Sequence, residues 1–404
     1  VNKNAVSKLN IGVLITTGLV FAIITFLIVK SGLKAGLVLP SPNPFYSEAV
    51  NYPPPGVEKA GIIALMWRSF AFILFNTLIG SHLSGWKKAI STVLWVFIIL
   101  FSVEYTMGSF IRQTPPLHRP HPSFLWELFP GRSGMTNTGG AIRSLKVNRF
   151  GFRGEEISQK KPLGVTRIMV IGDSAAFGYG MNQEDTFSYL LEKQLNEKHP
   201  DKKFEVINAA VPGYTSFSSK NFFLEKGIKF EPDILIVSHN NDPDLDWDED
   251  KNRAAPAYLI PVLKILYQSN IYMTLRREIL NKRYRSNPHL KDEVPEGKGV
   301  WRVSPSDMKD NLEAIFGMCK SRGIKIVVIS MPRAEEEDFP IEFYRNTMKK
   351  TAEAYNGSFL DLYFKWQEDE STGLFLDYVH PTVKGNRKIA RDLTEFLEEK
   401  VIKP

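Results

Sequence analysis

RIMVIGDSAAFGYG, residues 167–180, joins an unbroken apolar run from Ile168 to Ile171 to a Gly-Asp-Ser turn at Gly172, Asp173 and Ser174. A short apolar run bounded by a turn signal suits a buried strand, and an Asp or Ser ahead of small residues suits the start of a helix. Alone, the triplet reads as an ordinary turn and helix cap. Glycines at 172, 178 and 180 do not have the GxGxxG spacing of a dinucleotide fingerprint.

Further short apolar runs at 204–207, 234–237, 324–329 and 358–360 are predicted strands. Between and after them, Phe187, Leu190, Leu191 and Leu195, then Ile389, Leu393, Phe396 and Leu397, recur at helical spacing. Strand and helix alternating in this way imply an α/β fold, a three-layer sandwich with a mainly parallel sheet covered on both faces. Ligands of such sheets bind beyond the carboxyl ends of the strands, so the residues after each strand carry the functional information.

After the second strand come Asn208, Pro212, Gly213 and Tyr214; after the third, Ser238, His239, Asn240, Asn241 and Asp242; near the C-terminus, Asp377, Tyr378, Val379, His380 and Pro381. With the Gly-Asp-Ser turn, these resemble the ordered motifs of the SGNH/GDSL hydrolase family over roughly residues 145–404. The motifs are a Ser in a GDS turn, a Gly, an Asn in an N-D pair and a D-x-x-H-P. Ala175 stands where the family's name motif has Leu, a departure that leaves the nucleophile untouched. The resemblance implies an SGNH/flavodoxin-like fold and acyl-ester cleavage on Ser174.

The residue types suit that chemistry. A serine hydroxyl is a weak nucleophile until a base takes its proton, and imidazole is the usual base. Asp377, three residues before His380, can accept the imidazole N–H within one loop and fix its tautomer. The resemblance assigns the oxyanion hole to the backbone N–H groups of Ser174 and Gly213 and to the side-chain amide of Asn241. The N-D pairing favours Asn241 over Asn240, the alternative donor. His239 stands where the family has a small residue, so it is expected to line or crowd the pocket without a catalytic role. Serine, imidazole and fixed dipoles supply the whole mechanism, so neither cofactor nor metal is expected.

Several features receive plainer readings. The stretch holding Asp242, Asp244, Asp246, Asp248, Glu249 and Asp250 lacks the glycine and terminal Glu of a calcium loop and is expected to be solvated. His118 and His121, in a Pro-rich stretch without nearby carboxylates, are likewise expected to be solvated rather than metal ligands. Residues 245–301 exceed the usual α/β connection and form an insertion, either a small cap at the site mouth or a peripheral addition. The segment 148–154, NRFGFRG, resembles a lead-in seen in some membrane-anchored relatives. Cys319 is the single cysteine, which excludes an intramolecular disulfide framework and a multi-cysteine zinc site.

The first third differs from the rest. Of the formal net charge of +7 over 404 residues, residues 1–110 hold eight basic side chains against three acidic ones, and the remainder is nearly balanced. That distribution argues against a nucleic-acid partner. Residues 11–29 carry no charge, and about 20 apolar residues suffice to cross a bilayer. Residues 1–110 are therefore expected to anchor the chain through two or three transmembrane helices, near 11–29, 61–80 and 89–108. Three spans would put Lys87 and Lys88 inside and the C-terminal domain outside the cytoplasm. A juxtamembrane linker at 111–145, rich in Pro and aromatics, and a hydrolase domain at 146–404 complete the expected organisation.

The sequence thus points to a membrane-anchored serine esterase or acylhydrolase of the cytoplasmic membrane. Its substrate would be an acyl ester, acetyl esters included, of a lipid, a glycan or a small molecule. An O-acyltransferase or O-acetyltransferase working with envelope polysaccharide machinery is the first rival. A non-catalytic envelope scaffold is the second.

Overall fold

In the computed structural model of the protein, the described residues are 101, 104, 117–138, 141–246, 248–253, 257–266, 269, 272, 299–334, 341–367 and 373–402. Nearly all belong to one compact unit, Pro116–Ile265 with Lys282–Pro404. Among the described residues no helix is long and apolar enough to cross a membrane. The spans expected at 11–29 and 61–80, and all but two residues of the one at 89–108, lie outside them.

Two antiparallel hairpins lead in: β1 (His118–His121) with β2 (Leu125–Leu128), and β3 (Ser133–Thr138) with β4 (Ala141–Lys146). The α/β unit follows as β5 (Val165–Gly172), α1 (Ser174–Phe177), α2 (Phe187–Lys198), β6 (Lys203–Asn208), α3 (Ser216–Glu225) and β7 (Ile234–Ser238). The insertion contributes β8 (Leu245–Asp246), α4 (Ile260–Leu266) and β9 (Val300–Trp301). The chain closes with α5 (Pro305–Arg322), β10 (Lys325–Ser330), α6 (Ile341–Ala354), β11 (Ser358–Asp361), α7 (Leu362–Gln367) and α8 (Val383–Leu397).

All five strands of the main sheet run parallel in the order β11-β10-β7-β5-β6. Its first strand, β5, therefore lies between the second and the third. The connections reverse direction there, and the crevice beyond the carboxyl ends of β5 and β7 is the place where such sheets bind ligands. Helices form two groups: α2 packs against α8, and α5 packs against both α3 and α6. The strands lack polar alternation because both faces are covered; Ile168, Met169, Val170, Leu235, Ile236, Val327 and Val328 are all fully buried.

Local signals set the helix ends. Ser304 caps α5 through the N–H of Asp307 at 3.1 Å, Pro305 opens the helix, and Gly323 (φ +68°) ends it. Thr382 caps α8 through the N–H of Gly385 at 3.2 Å. Of the amphipathic positions named from the sequence, Phe187, Leu191 and Leu195 on α2, and Ile389, Leu393 and Leu397 on α8, are buried, while Leu190 and Phe396 are half-buried against the core.

Gly172, the last residue of β5, is required by close approach. A Cβ there would lie 2.3 Å from the carbonyl oxygen of Ser238 and 2.8 Å from the Cβ of Ala176. Gly172→Ala is expected to lower stability by about 2–3 kcal/mol through overpacking, measured as a lower urea midpoint at unchanged m-value.

The segment expected to be a linker is instead built into the domain. Phe124 and Leu128 of the first hairpin are fully buried, and the Phe124 ring meets Phe222 and Tyr214 edge-on. Burial of these large apolar side chains holds the hairpin down, so the compact unit begins well before residue 146. His118 and His121 are not solvated either: the His121 ring stacks on Phe124 at 3.4 Å between centroids. Burial pushes the pKa of each down to about 4, so both imidazoles are neutral near pH 7.

Candidate active site

Ser174 is the first residue of α1, directly beyond β5. Asp173 caps that helix, its Oδ1 accepting the N–H of Ala175 at 2.9 Å, and its Oδ2 accepts the N–H of Asn240 at 2.6 Å. One buried carboxylate thus ties the end of β5 to the end of β7. Burial raises its pKa, opposed by these three backbone donors, counting the longer bond from Ala176. The Gly-Asp-Ser turn owes its Asp to this capping role.

His380 reaches the same point from the loop before α8. Its Nε2 lies 2.8 Å from Ser174 Oγ, and its Nδ1 lies 2.7 Å from Asp377 Oδ2. With the proton on Nδ1 and donated to the carboxylate, Nε2 accepts the serine hydroxyl. The other oxygen of Asp377 accepts the N–H groups of Val379 and His380 at 2.9 and 2.8 Å. Burial opposes ionisation of Asp377, but the hydrogen bond from His380 and these backbone donors outweigh it and hold the pKa down to about 2. Ser174 and His380 are buried, and the Tyr179 ring lies 4.8 Å from the imidazole between centroids. Ser174, His380 and Asp377 therefore form one continuous hydrogen-bonded chain.

Gly213 sits in the turn after β6 at φ +79°, the left-handed region that favours glycine. Around it the carbonyl oxygens are occupied: Trp126 Nε1 donates to Pro212 at 3.2 Å, and Asn241 Nδ2 donates to Tyr214 at 3.3 Å. The Tyr214 hydroxyl returns to the carbonyl of Trp126 at 2.5 Å. The amide of Asn241 keeps its second N–H for another acceptor. The neighbouring Asn240 Nδ2 is buried with no hydrogen-bond partner. His239 is buried with both ring nitrogens unpartnered, and burial lowers its pKa to about 3, so it is a neutral imidazole.

Four contributors escaped the sequence reading. Arg153, in the lead-in 148–154, donates through Nη1 to the carbonyls of Phe177 (3.1 Å) and Gly178 (2.7 Å) and through Nη2 to Met181 (2.5 Å). These are carbonyls at and just beyond the end of α1, so Arg153 closes the helix that carries Ser174. Asn148 folds the lead-in, its Oδ1 accepting the N–H groups of Phe150 and Phe152 at 3.0 and 3.1 Å. The NRFGFRG pattern was the signal, and its meaning is this Asn turn followed by the Arg. Trp126, in the stretch assigned to a linker, is the second. Asp250 and Arg302, at the two roots of the insertion, are the others.

The acidic stretch is correspondingly not one solvated loop. Asp242 and Asp250 are fully buried; Asp242 Oδ1 accepts the N–H of Ser216 at 2.7 Å and Asp250 Oδ2 accepts the Thr215 hydroxyl at 2.7 Å. Burial raises Asp242 to about 7, whereas Asp244 is exposed. Among the described residues no group of three or more His, Cys, Asp or Glu is placed to hold a metal ion.

Among solved structures, the chain is similar to TesA, with a TM-score of 0.39 and 14% identity over 58% of this chain and 99% of that one. It is similar also to a lipase/acylhydrolase from Enterococcus faecalis (TM-score 0.40, 15% identity, 58% and 95% coverage). A mutant of Axe2, an acetyl-xylooligosaccharide esterase from Geobacillus, gives a TM-score of 0.39 at 18% identity, with 58% and 94% coverage. Comparison with curated proteins finds no match. The sequence model of the GDSL-like lipase/acylhydrolase family matches residues 170–388, more than half of the chain, from within β5 to within α8. The chain belongs to the GDSL-like lipase/acylhydrolase family.

Proposed function

We propose that the protein is a membrane-anchored serine esterase that cleaves acyl esters, acetyl esters among them, through an acyl-enzyme on Ser174. The observation that carries this reading is the unbroken chain from Ser174 Oγ through His380 to Asp377. His380 Nε2 takes the hydroxyl proton as Oγ attacks the ester carbonyl, and Asp377 holds the imidazolium that forms. The oxyanion of the tetrahedral intermediate is received by the N–H groups of Ser174 and Gly213 and by the second N–H of the Asn241 amide. His380 then returns the proton to the departing alcohol. Water, activated by the same imidazole, cleaves the acyl-enzyme and regenerates Ser174.

The apolar stretches within residues 1–110 support a lipid bilayer as the site of work, and the Lys87-Lys88 pair supports a catalytic domain on the extracytoplasmic side. The same acyl-enzyme could pass its acyl group to a glycan hydroxyl, so the test sets water against such an acceptor. The full chain in detergent is given p-nitrophenyl acetate with and without an oligosaccharide. Free acetate equal to the p-nitrophenol released, with no acetylated sugar, is the expected result. Acetylated oligosaccharide at the expense of free acetate would establish the transferase. Absence of p-nitrophenol above background would overturn the enzymatic reading in favour of a scaffold.

A further inference from the structure

We infer that Arg302 and Asp250, one from each root of the 245–301 insertion, clamp the oxyanion turn and position the Gly213 N–H for catalysis. This inference rests on the proposed role of that N–H. Arg302 Nη2 donates to the carbonyl oxygen of Gly213 at 2.7 Å and to Asp250 Oδ2 at 2.9 Å, while Nε donates to Asp250 Oδ1 at 3.2 Å. Asp250 Oδ2 also accepts the Thr215 hydroxyl. The contacts close a ring: from Gly213 to Arg302, to Asp250, and back to the main chain at Thr215, two residues on.

The backbone explains why such a ring is needed. Gly213 lies at positive φ without a Cβ to restrict it, so the peptides on either side are free to rotate unless held. In a planar trans peptide the C=O and N–H point in opposite directions. Trp126, by holding the carbonyl of Pro212, therefore aims the Gly213 N–H away from itself. Arg302 holds the carbonyl of the following peptide and so fixes the other side of the glycine.

Burial sets the division of labour. Asp250 is fully buried and the Arg302 side chain is only 9% exposed. A buried ion pair contributes little net stability compared with an apolar replacement. The pair acts on the turn through the geometry of these hydrogen bonds. Arg302 and Asp250 are positioning residues. The backbone of the insertion supports them: Arg302 N–H donates to the Asp244 carbonyl and Asp250 N–H to the Arg302 carbonyl, each at 2.8 Å.

The test replaces the pair together, Arg302→Met with Asp250→Asn, so that no lone buried charge remains, beside Asp250→Asn alone. Full-length variants are compared with wild type and Ser174→Ala for kcat and KM on p-nitrophenyl acetate, and for inhibition by phenylboronic acid, which forms a tetrahedral adduct on an activated serine. Expected in the double variant is a fall in kcat of roughly 10–100-fold, below the 10²–10³ for loss of a whole donor. KM should stay within about twofold, and the boronate Ki should rise in proportion to the loss of kcat/KM. Asp250→Asn should move the same quantities in the same direction by less. Full activity in both variants beside a wild type that depends on Ser174 would overturn the clamp alone, as would a fall in kcat with an unchanged boronate Ki. Equal rates for wild type and Ser174→Ala would overturn the reading beneath it, and the clamp with it.

Discussion

Ser174→Ala is expected to lower kcat for p-nitrophenyl acetate by roughly 10³–10⁶-fold with KM little changed. The effect is large because removing Oγ leaves nothing for His380 to activate, and what remains is the contribution of the oxyanion donors and of binding. The substitution leaves the fold intact on physical grounds. Ser174 opens α1, where alanine is a good helix former; the cap is supplied by Asp173, and Asp173 is untouched. The variant should therefore unfold at the wild-type denaturant midpoint, which separates lost chemistry from lost structure.

Asp377→Asn is the second large effect, expected at about 10²–10⁴-fold in kcat. An amide at that position can turn an N–H towards His380 Nδ1, which favours the tautomer carrying its proton on Nε2. That imidazole cannot accept the serine proton. The carboxylate also explains the expected pH dependence. Its folded pKa is depressed to about 2, so its favourable interactions are fully present above the ordinary carboxylate pKa and are lost only as pH falls through about 2. Asp377 is ionised throughout neutral and mildly acidic conditions. The wild-type kcat/KM profile should therefore show no inflection from Asp377 between about pH 4 and 9.

Much of the fold was legible because the main strands are continuous apolar runs, the form a strand takes when both faces of a sheet are covered. The expected run at 168–171 lies within β5 and that at 234–237 within β7. The first hairpin was not legible. Its strands, HRPH and LWEL, are short, and β1 contains a proline. Beyond its stack on His121, Phe124 packs against Tyr214 and Phe222, about ninety and a hundred residues away, which no local periodicity announces.

The same distinction applies to the site. Asp377 and His380 lie three residues apart, and their pairing follows from one loop. Asp250 was read as part of a solvated acidic run because its partner Arg302 lies 52 residues further on, across the insertion. Arg153 was visible as part of a pattern, yet its partners are carbonyl oxygens at Phe177, Gly178 and Met181, atoms that every residue carries. Backbone acceptors leave no trace in side-chain identity, so a positioning arginine is recognised only once the chain is folded around it.

Ser174 is the proposed nucleophile and carrier of the acyl group. Mass spectrometry of the full chain after reaction with a fluorophosphonate tests that role most directly, because such a reagent stays on an activated serine as a stable tetrahedral adduct. A single adduct on the peptide containing Ser174, lost in Ser174→Ala and formed much more slowly in His380→Ala, is the expected result. An adduct on another residue, or one that persists in Ser174→Ala, would contradict the account.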